Sequence, residues 1–154
     1  MIDAHQHFWK YSPEQYGWID ASMNALKRDF LPEELEGEMQ EAGITGTVVV
    51  QARQNLEETR WLLELADRHA FIKGVVGWVD LCSEALEQQL NQFTSFSKLV
   101  GVRHVIQDET DERFMLRADF RAGISFLETY DLSYDLLLYP RHLKHALKLA
   151  RLFP

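Results

Sequence analysis

Hydrophobic positions along this chain of 154 residues fall into short, β-branched runs separated by longer stretches in which apolar residues recur every three or four positions. The short runs predict strands over residues 2–5, 43–51, 71–79, 99–107 and 133–139. Thr47-Val48-Val49-Val50 is apolar throughout rather than at alternate positions, the pattern of a strand covered on both faces. The stretches between the runs predict helices. The first begins at Pro32, whose fixed φ suits an opening turn, carries Glu33 and Glu34 at the positive end of the helix dipole, and stops at Gly43. Asn55 caps a second, running to about His69, with Leu56, Leu63 and Ala66 inward and Glu57, Glu58, Glu64 and Arg68 outward. Ser83 caps a third that includes Leu86, Leu90 and Phe93, and two more cover about residues 120–130 and 141–152.

From the second strand onward the strands start roughly 28 to 35 residues apart, the length of a strand, a crossover helix and two loops. The class is therefore α/β with a parallel sheet. Residues 10–30, including Trp18, read as a long loop after the first strand, and such loops carry the sites of these folds. No linker divides the chain, so residues 1–154 read as part of one domain.

Composition narrows the partners. Sixteen Lys and Arg against twenty-four Asp and Glu give a formal net charge of −8, which opposes binding to a phosphate backbone and argues against nucleic acid. No apolar run is long enough to cross a bilayer, which argues against a membrane role. The single cysteine, Cys82, cannot form an internal disulfide, and no leader pattern precedes the first strand, so a cytoplasmic location is expected. Cys82 has no histidine or basic cluster beside it in sequence and reads as an inert thiol. Nucleotide-binding glycine motifs and a Gly-x-Ser-x-Gly elbow are absent.

Chemistry concentrates at the start. His5 and His7 stand two apart on a strand, so both imidazoles project from one face, a bite suited to one divalent ion or one polar substrate group. The bland alternative is a pair of exposed polar residues at a strand end.

Asp3-Ala4-His5-Gln6-His7-Phe8-Trp9, Val50-Gln51, Gly77-Trp78-Val79-Asp80 and the stretch from Gly101 through Arg103 and His104 to Glu109, in that order, resemble the amidohydrolase-related TIM-barrel hydrolases of the sugar-lactonase branch. That group includes fuconolactone and rhamnonolactone hydrolases and pyrone dicarboxylate lactonases. The resemblance implies a (β/α)8 barrel, which needs about 250 residues, whereas this chain supplies about five βα units. It therefore implies an N-terminal portion of a barrel, without the sixth-strand histidine and the eighth-strand aspartate that acts as base. The expected activity is water attack on the carbonyl of a sugar-acid lactone or related cyclic ester, a small-molecule substrate, with the chain alone inactive. The alternative is a noncatalytic or partner-dependent half-barrel that self-associates through exposed strand edges. A third reading, an open-sheet binding module, requires helices on both sheet faces.

Within that frame His5 and His7 are the catalytic candidates. The wider superfamily binds zinc or similar ions while lactonase-like members often work without one, so ligation of a divalent metal and direct polarisation of the carbonyl both stay open. Arg103 or His104 points into the barrel, but not both; Arg103 inward would hold a substrate anion, and the reversed register would give that place to His104. Gln107, on the same face as Arg103, Gln51 and Asp80 at strand ends, and Tyr139 after the fifth strand are substrate-binding candidates. For Asp80 the alternative is to cap its own turn, Trp78 is either pocket wall or core, and His142 either reaches the pocket or begins a helix. His69 and His145 read as surface residues.

Overall fold

A computed structural model describes residues 1–154 and contains five strands: β1 (Ile2–Gln6), β2 (Gly46–Val50), β3 (Ile72–Gly77), β4 (Leu99–Val105) and β5 (Ser133–Leu137). Every neighbouring pair is parallel, and the order in the sheet is the order in the chain. Right-handed crossovers that always step in the same direction leave every helix on one side of the sheet. The open-sheet module with helices on both faces is thereby excluded, and the architecture is a partial TIM barrel. The helices are α1 (Pro32–Glu41), α2 (Leu56–Arg68), α3 (Leu86–Asn91), α4 (Ala118–Leu127) and α5 (Leu143–Leu152).

Local sequence explains the element ends. After α1, Gly43 adopts a φ of +67°, the Gly43 N–H donates to the Gln40 carbonyl and the Ile44 N–H to the Met39 carbonyl. This pair of bonds is a Schellman closure, for which a left-handed glycine is favoured. It occupies residues 43–45, so β2 begins at Gly46 instead of Gly43. The Asn55 side chain accepts from the Glu58 N–H at 2.7 Å and opens α2 as the sequence predicts. The third helix does not open at Ser83. Ser83 Oγ accepts from the Ala85 N–H within a turn, and α3 starts only at Leu86. β4 ends at Val105, where the backbone passes into a turn over Ile106–Asp108, two residues earlier than expected.

Twenty-two buried residues, among them Val49, Leu62, Ile72, Val102, Phe120 and Leu149, form one core between the sheet and its helices. Two glycines mark close approaches across it. A Cβ on Gly77 would lie 2.5 Å from Thr59 Cγ2, and one on Gly123 only 2.1 Å from the Leu81 carbonyl oxygen. A second, smaller core of Trp9, Tyr16 and Ile19 gathers the long loop after β1. His145 belongs inside α5's buried face at 6% exposure, which corrects the expectation that it lies on the surface. The helical period puts it beside Ala146 and Leu149. His69 ends α2, is partly covered, and stands 3.8 Å from Glu33.

Candidate active site

Parallel strands present their carboxyl ends at one rim, and β1, β4 and β5, with the loops that follow β1 and β2, bound a cavity of about 720 Å³ there. His5 enters it from β1, His7 from the position just past the end of β1, and Arg103 from β4. The His5 and His7 Nε2 atoms are 3.2 Å apart. His7 Nδ1 lies 2.7 Å from the Val50 carbonyl. A carbonyl only accepts, so Nδ1 carries the proton and Nε2 is left with its lone pair facing the cavity. Burial, followed by the charge of Arg103, lowers the His5 pKa; burial likewise pulls His7 down to about 4, against the Val50 hydrogen bond. Both rings are thus neutral at neutral pH.

Arg103 is 6% exposed and is the inward residue of its strand. Its Nη2 donates to the Gln51 carbonyl, and Nη1 lies 3.3 Å from His5 Nε2. That nitrogen can accept from Arg103 or donate to His7, but not both. Arg103 forms no ion pair within the chain; burial lowers its pKa, and Asp135, its register partner on β5, works against that from farther away. A buried guanidinium that no carboxylate contacts is a place for negative charge to arrive.

The other sequence candidates divide. Gln107 lines the cavity, from the turn after β4 and not from the strand itself. Gln51 is fully buried behind Arg103, with its Nε2 donating to the Arg103 carbonyl at 3.3 Å. His104 points to the helix side, paired with Glu109 at 2.7 Å and stacked on Phe114. Asp80 caps its own turn by accepting from the Cys82 N–H at 3.0 Å. Tyr139 stands outside the cavity, stacked with His142 under the guanidinium of Arg141. His142 begins the turn into α5, with Nδ1 accepting from the Tyr139 N–H. Trp78 is held by its backbone, its N–H and carbonyl both bonded to Thr59 Oγ1. Burial raises the Cys82 pKa to about 11, as suits an inert thiol.

Sequence reading missed a buried network beside the cavity. Glu58, fully buried, accepts from the Ala52 and Arg53 N–H groups at 2.8 and 2.6 Å, from Tyr16 Oη at 3.2 Å and from Arg53 Nε at 3.3 Å. It ties the loop after β1 to the loop after β2. The Gln54 side chain accepts from the Val105 N–H at 2.8 Å and so closes the end of β4. The helical pattern places Glu58 outward, and its full burial corrects that; the capping-box spacing from Asn55 is the one signal in the sequence that could have found it. A second hollow of about 740 Å³ opens on the helix side between α4 and α5. Its walls, such as Ile124, Leu136 and Leu149, are apolar and gather no paired titratable groups.

A family model described as amidohydrolase matches residues 2–154. The chain belongs to the amidohydrolase family. Over 143 residues this amidohydrolase is 43% identical to a Burkholderia multivorans protein named L-fucono-1,5-lactonase, an alignment covering 92% of this chain and 48% of the relative. A Burkholderia ambifaria protein of the same name is 37% identical over 153 residues, or 99% of this chain and 53% of that one. A crystal structure of a Burkholderia multivorans amidohydrolase with bound zinc superimposes with a TM-score of 0.93 at 41% identity, covering 97% of this chain and 53% of that chain. The chain thus spans about half the length of the relatives it matches.

The donors present fit a zinc-like ion in part. Two nitrogens 3.2 Å apart, each about 2.1 Å from one ion, would subtend an angle of about 100°, close to tetrahedral. These two nitrogens stand without a third histidine, cysteine or carboxylate group gathered around the same point. No helix is long and apolar enough to cross a membrane.

Proposed function

We propose that this chain supplies the carbonyl-polarising half of a sugar-lactone hydrolase site. The observation that carries the reading is the convergence of His5, His7 and the unpaired Arg103 guanidinium on one cavity at the carboxyl ends of the strands. Water attack on a lactone moves negative charge onto the carbonyl oxygen as the C–O bond to water forms. The ring C–O bond then breaks, its oxygen takes up a proton, and a hydroxy acid leaves. Arg103 stays charged throughout and meets the developing oxyanion in a site where water competes poorly. His5 can turn its Nε2–H from His7 to the same oxygen. Gln107 is placed to bond ring hydroxyls.

The Nε2 atoms of His5 and His7 would also hold a zinc-like ion of the kind bound in the Burkholderia multivorans structure. When bound, such an ion supplies Lewis acidity toward the carbonyl. The family resemblance implies a water-activating aspartate on an eighth strand, and this chain holds five strands. The 154-residue chain alone is therefore expected to open the lactone at the buffer rate.

The test follows acid release from L-fucono-1,5-lactone with the chain alone and with the chain fused to the C-terminal half of the Burkholderia multivorans relative. Hydrolysis by the folded fusion and none by the chain supports the proposal. Turnover by the chain alone well above buffer, or a folded but inert fusion, overturns it.

A partner-dependent fragment is the second reading. It draws on the single-sided pairing of β1 and β5 and on the exposure of Leu143 and Leu147 along α5. Sedimentation showing concentration-dependent association supports it, and a monomer at all concentrations contradicts it.

A further inference from the structure

One wall of the cavity is left unused by the carbonyl chemistry. Trp18 is 45% exposed although its neighbours Tyr16 and Ile19 are buried. The Ile19 N–H donates to the Tyr16 carbonyl at 2.9 Å, closing a tight turn with Gly17 and Trp18 at its corner. Buried anchors on both sides therefore hold the indole out, and it meets Trp9 edge to face with ring centroids 6.1 Å apart. An indole fixed in water at a cavity rim forgoes burial that a ligand could restore.

Arg53 lines the same cavity from the loop after β2. Glu58 holds its Nε at 3.3 Å and the Tyr16 ring lies 5.2 Å from its guanidinium carbon, while neither terminal nitrogen has a hydrogen-bond partner. The side chain is thus oriented from behind with its planar pair of donors unused. The Tyr16–Glu58 hydrogen bond locks the two loops together, so the aromatic face and the donor fork share one frame.

We propose that Trp18 and Arg53 form a sugar-ring subsite: the indole covers the C–H face of a hydroxylated six-membered lactone while the terminal nitrogens of Arg53 donate to its ring hydroxyls. Such a ring is apolar on its flat face and polar at its edge, which matches an aromatic plane joined to a planar donor pair. The subsite rests on the lactonase reading and extends it, selecting hydroxylated lactones over unsubstituted ones.

Ligand-observed NMR and calorimetry on the 154-residue chain at mildly acidic pH, where spontaneous opening is slow, compare L-fucono-1,5-lactone with δ-valerolactone, the same ring without hydroxyls. The fuconolactone is expected to bind about tenfold more tightly. W18A should bring it down to the δ-valerolactone level, W18F should restore most of the difference, and R53Q should weaken it severalfold without moving δ-valerolactone. Equal affinity for the two lactones, or W18A and R53Q variants that bind fuconolactone as the parent does, overturns the subsite and leaves the lactonase reading standing. Absence of binding by either lactone overturns both.

Discussion

Replacing Glu58 with alanine should be among the most damaging single changes in the chain. The carboxylate is fully buried and accepts four hydrogen bonds: two from the backbone N–H groups of Ala52 and Arg53, one from Tyr16 Oη and one from Arg53 Nε. E58A leaves two buried N–H groups without an acceptor, at about 1–3 kcal/mol each, and strips the partner from a largely covered guanidinium, a loss of about 3–5 kcal/mol for a buried pair. These overlap, so we expect about 4 kcal/mol in total. At roughly 2–4 °C per kcal/mol for a chain of this size, the thermal midpoint should fall by roughly 8–16 °C. Y16F removes a single 3.2 Å bond and should cost only about 1 kcal/mol. Circular dichroism melts of parent, E58A, E58Q and Y16F test the ledger, with E58Q intermediate because one oxygen still accepts. An E58A midpoint within about 2 °C of the parent, or a Y16F loss as large as that of E58A, would refute the reasoning.

Acid should weaken the fold through His7, whose pKa falls from 6.5 in the unfolded chain to about 4 in the folded one. The unfolded state then binds the proton first, so stability from the neutral ring is complete above pH 6.5 and is lost as pH falls toward 4. The loss is up to about 3 kcal/mol; urea midpoints should drop over this window and drop less steeply in H7Q. Zinc added at pH 7 should shift the ring resonances of His5 and His7 together, with the shift lost in H5A and weakened as the pH falls to about 4, where His7 takes up a proton. Unchanged rings would remove these residues as ligands. G123A should cost about 1–3 kcal/mol by driving a methyl into the Leu81 carbonyl, whereas G37A, with nothing within 4 Å of the new carbon, should stabilise α1 by about 0.5–1 kcal/mol. Denaturant titrations of the two variants should therefore move in opposite directions.

Strand alternation made the histidine pair legible, because residues two apart share a face whatever the rest of the fold does. The choice between Arg103 and His104 was only half legible. Both sit within one strand, and the side each takes depends on Glu109, Phe114 and Phe120, which cover His104 from the helix side. Asp80 could be read either way because a strand-end aspartate serves its own turn as readily as a substrate, and here Cys82 claims it. Gln107 was placed on a strand because the apolar run continues past Val105. The ladder stops where the Gln54 side chain, 51 positions away, takes the Val105 N–H. Tyr16 and Glu58 are 42 positions apart, and nothing local announces that pairing beyond the capping-box spacing at Asn55. His145 was misplaced since a histidine on a basic helix reads as solvated until its neighbours Ala146 and Leu149 are seen to face the core.

The central claim is that His5, His7 and Arg103, the first and last of them 98 positions apart in sequence, act on one carbonyl. Steady-state kinetics of L-fucono-1,5-lactone opening by the fusion protein, with H5A, H7A and R103A compared at matched folding, measures this most directly. Each substitution is expected to lower kcat/KM by about a hundredfold or more, the scale of a lost oxyanion donor, and the H5A and R103A losses should not add, because the two groups touch. Parent-like kcat/KM in R103A together with either histidine variant would contradict the account.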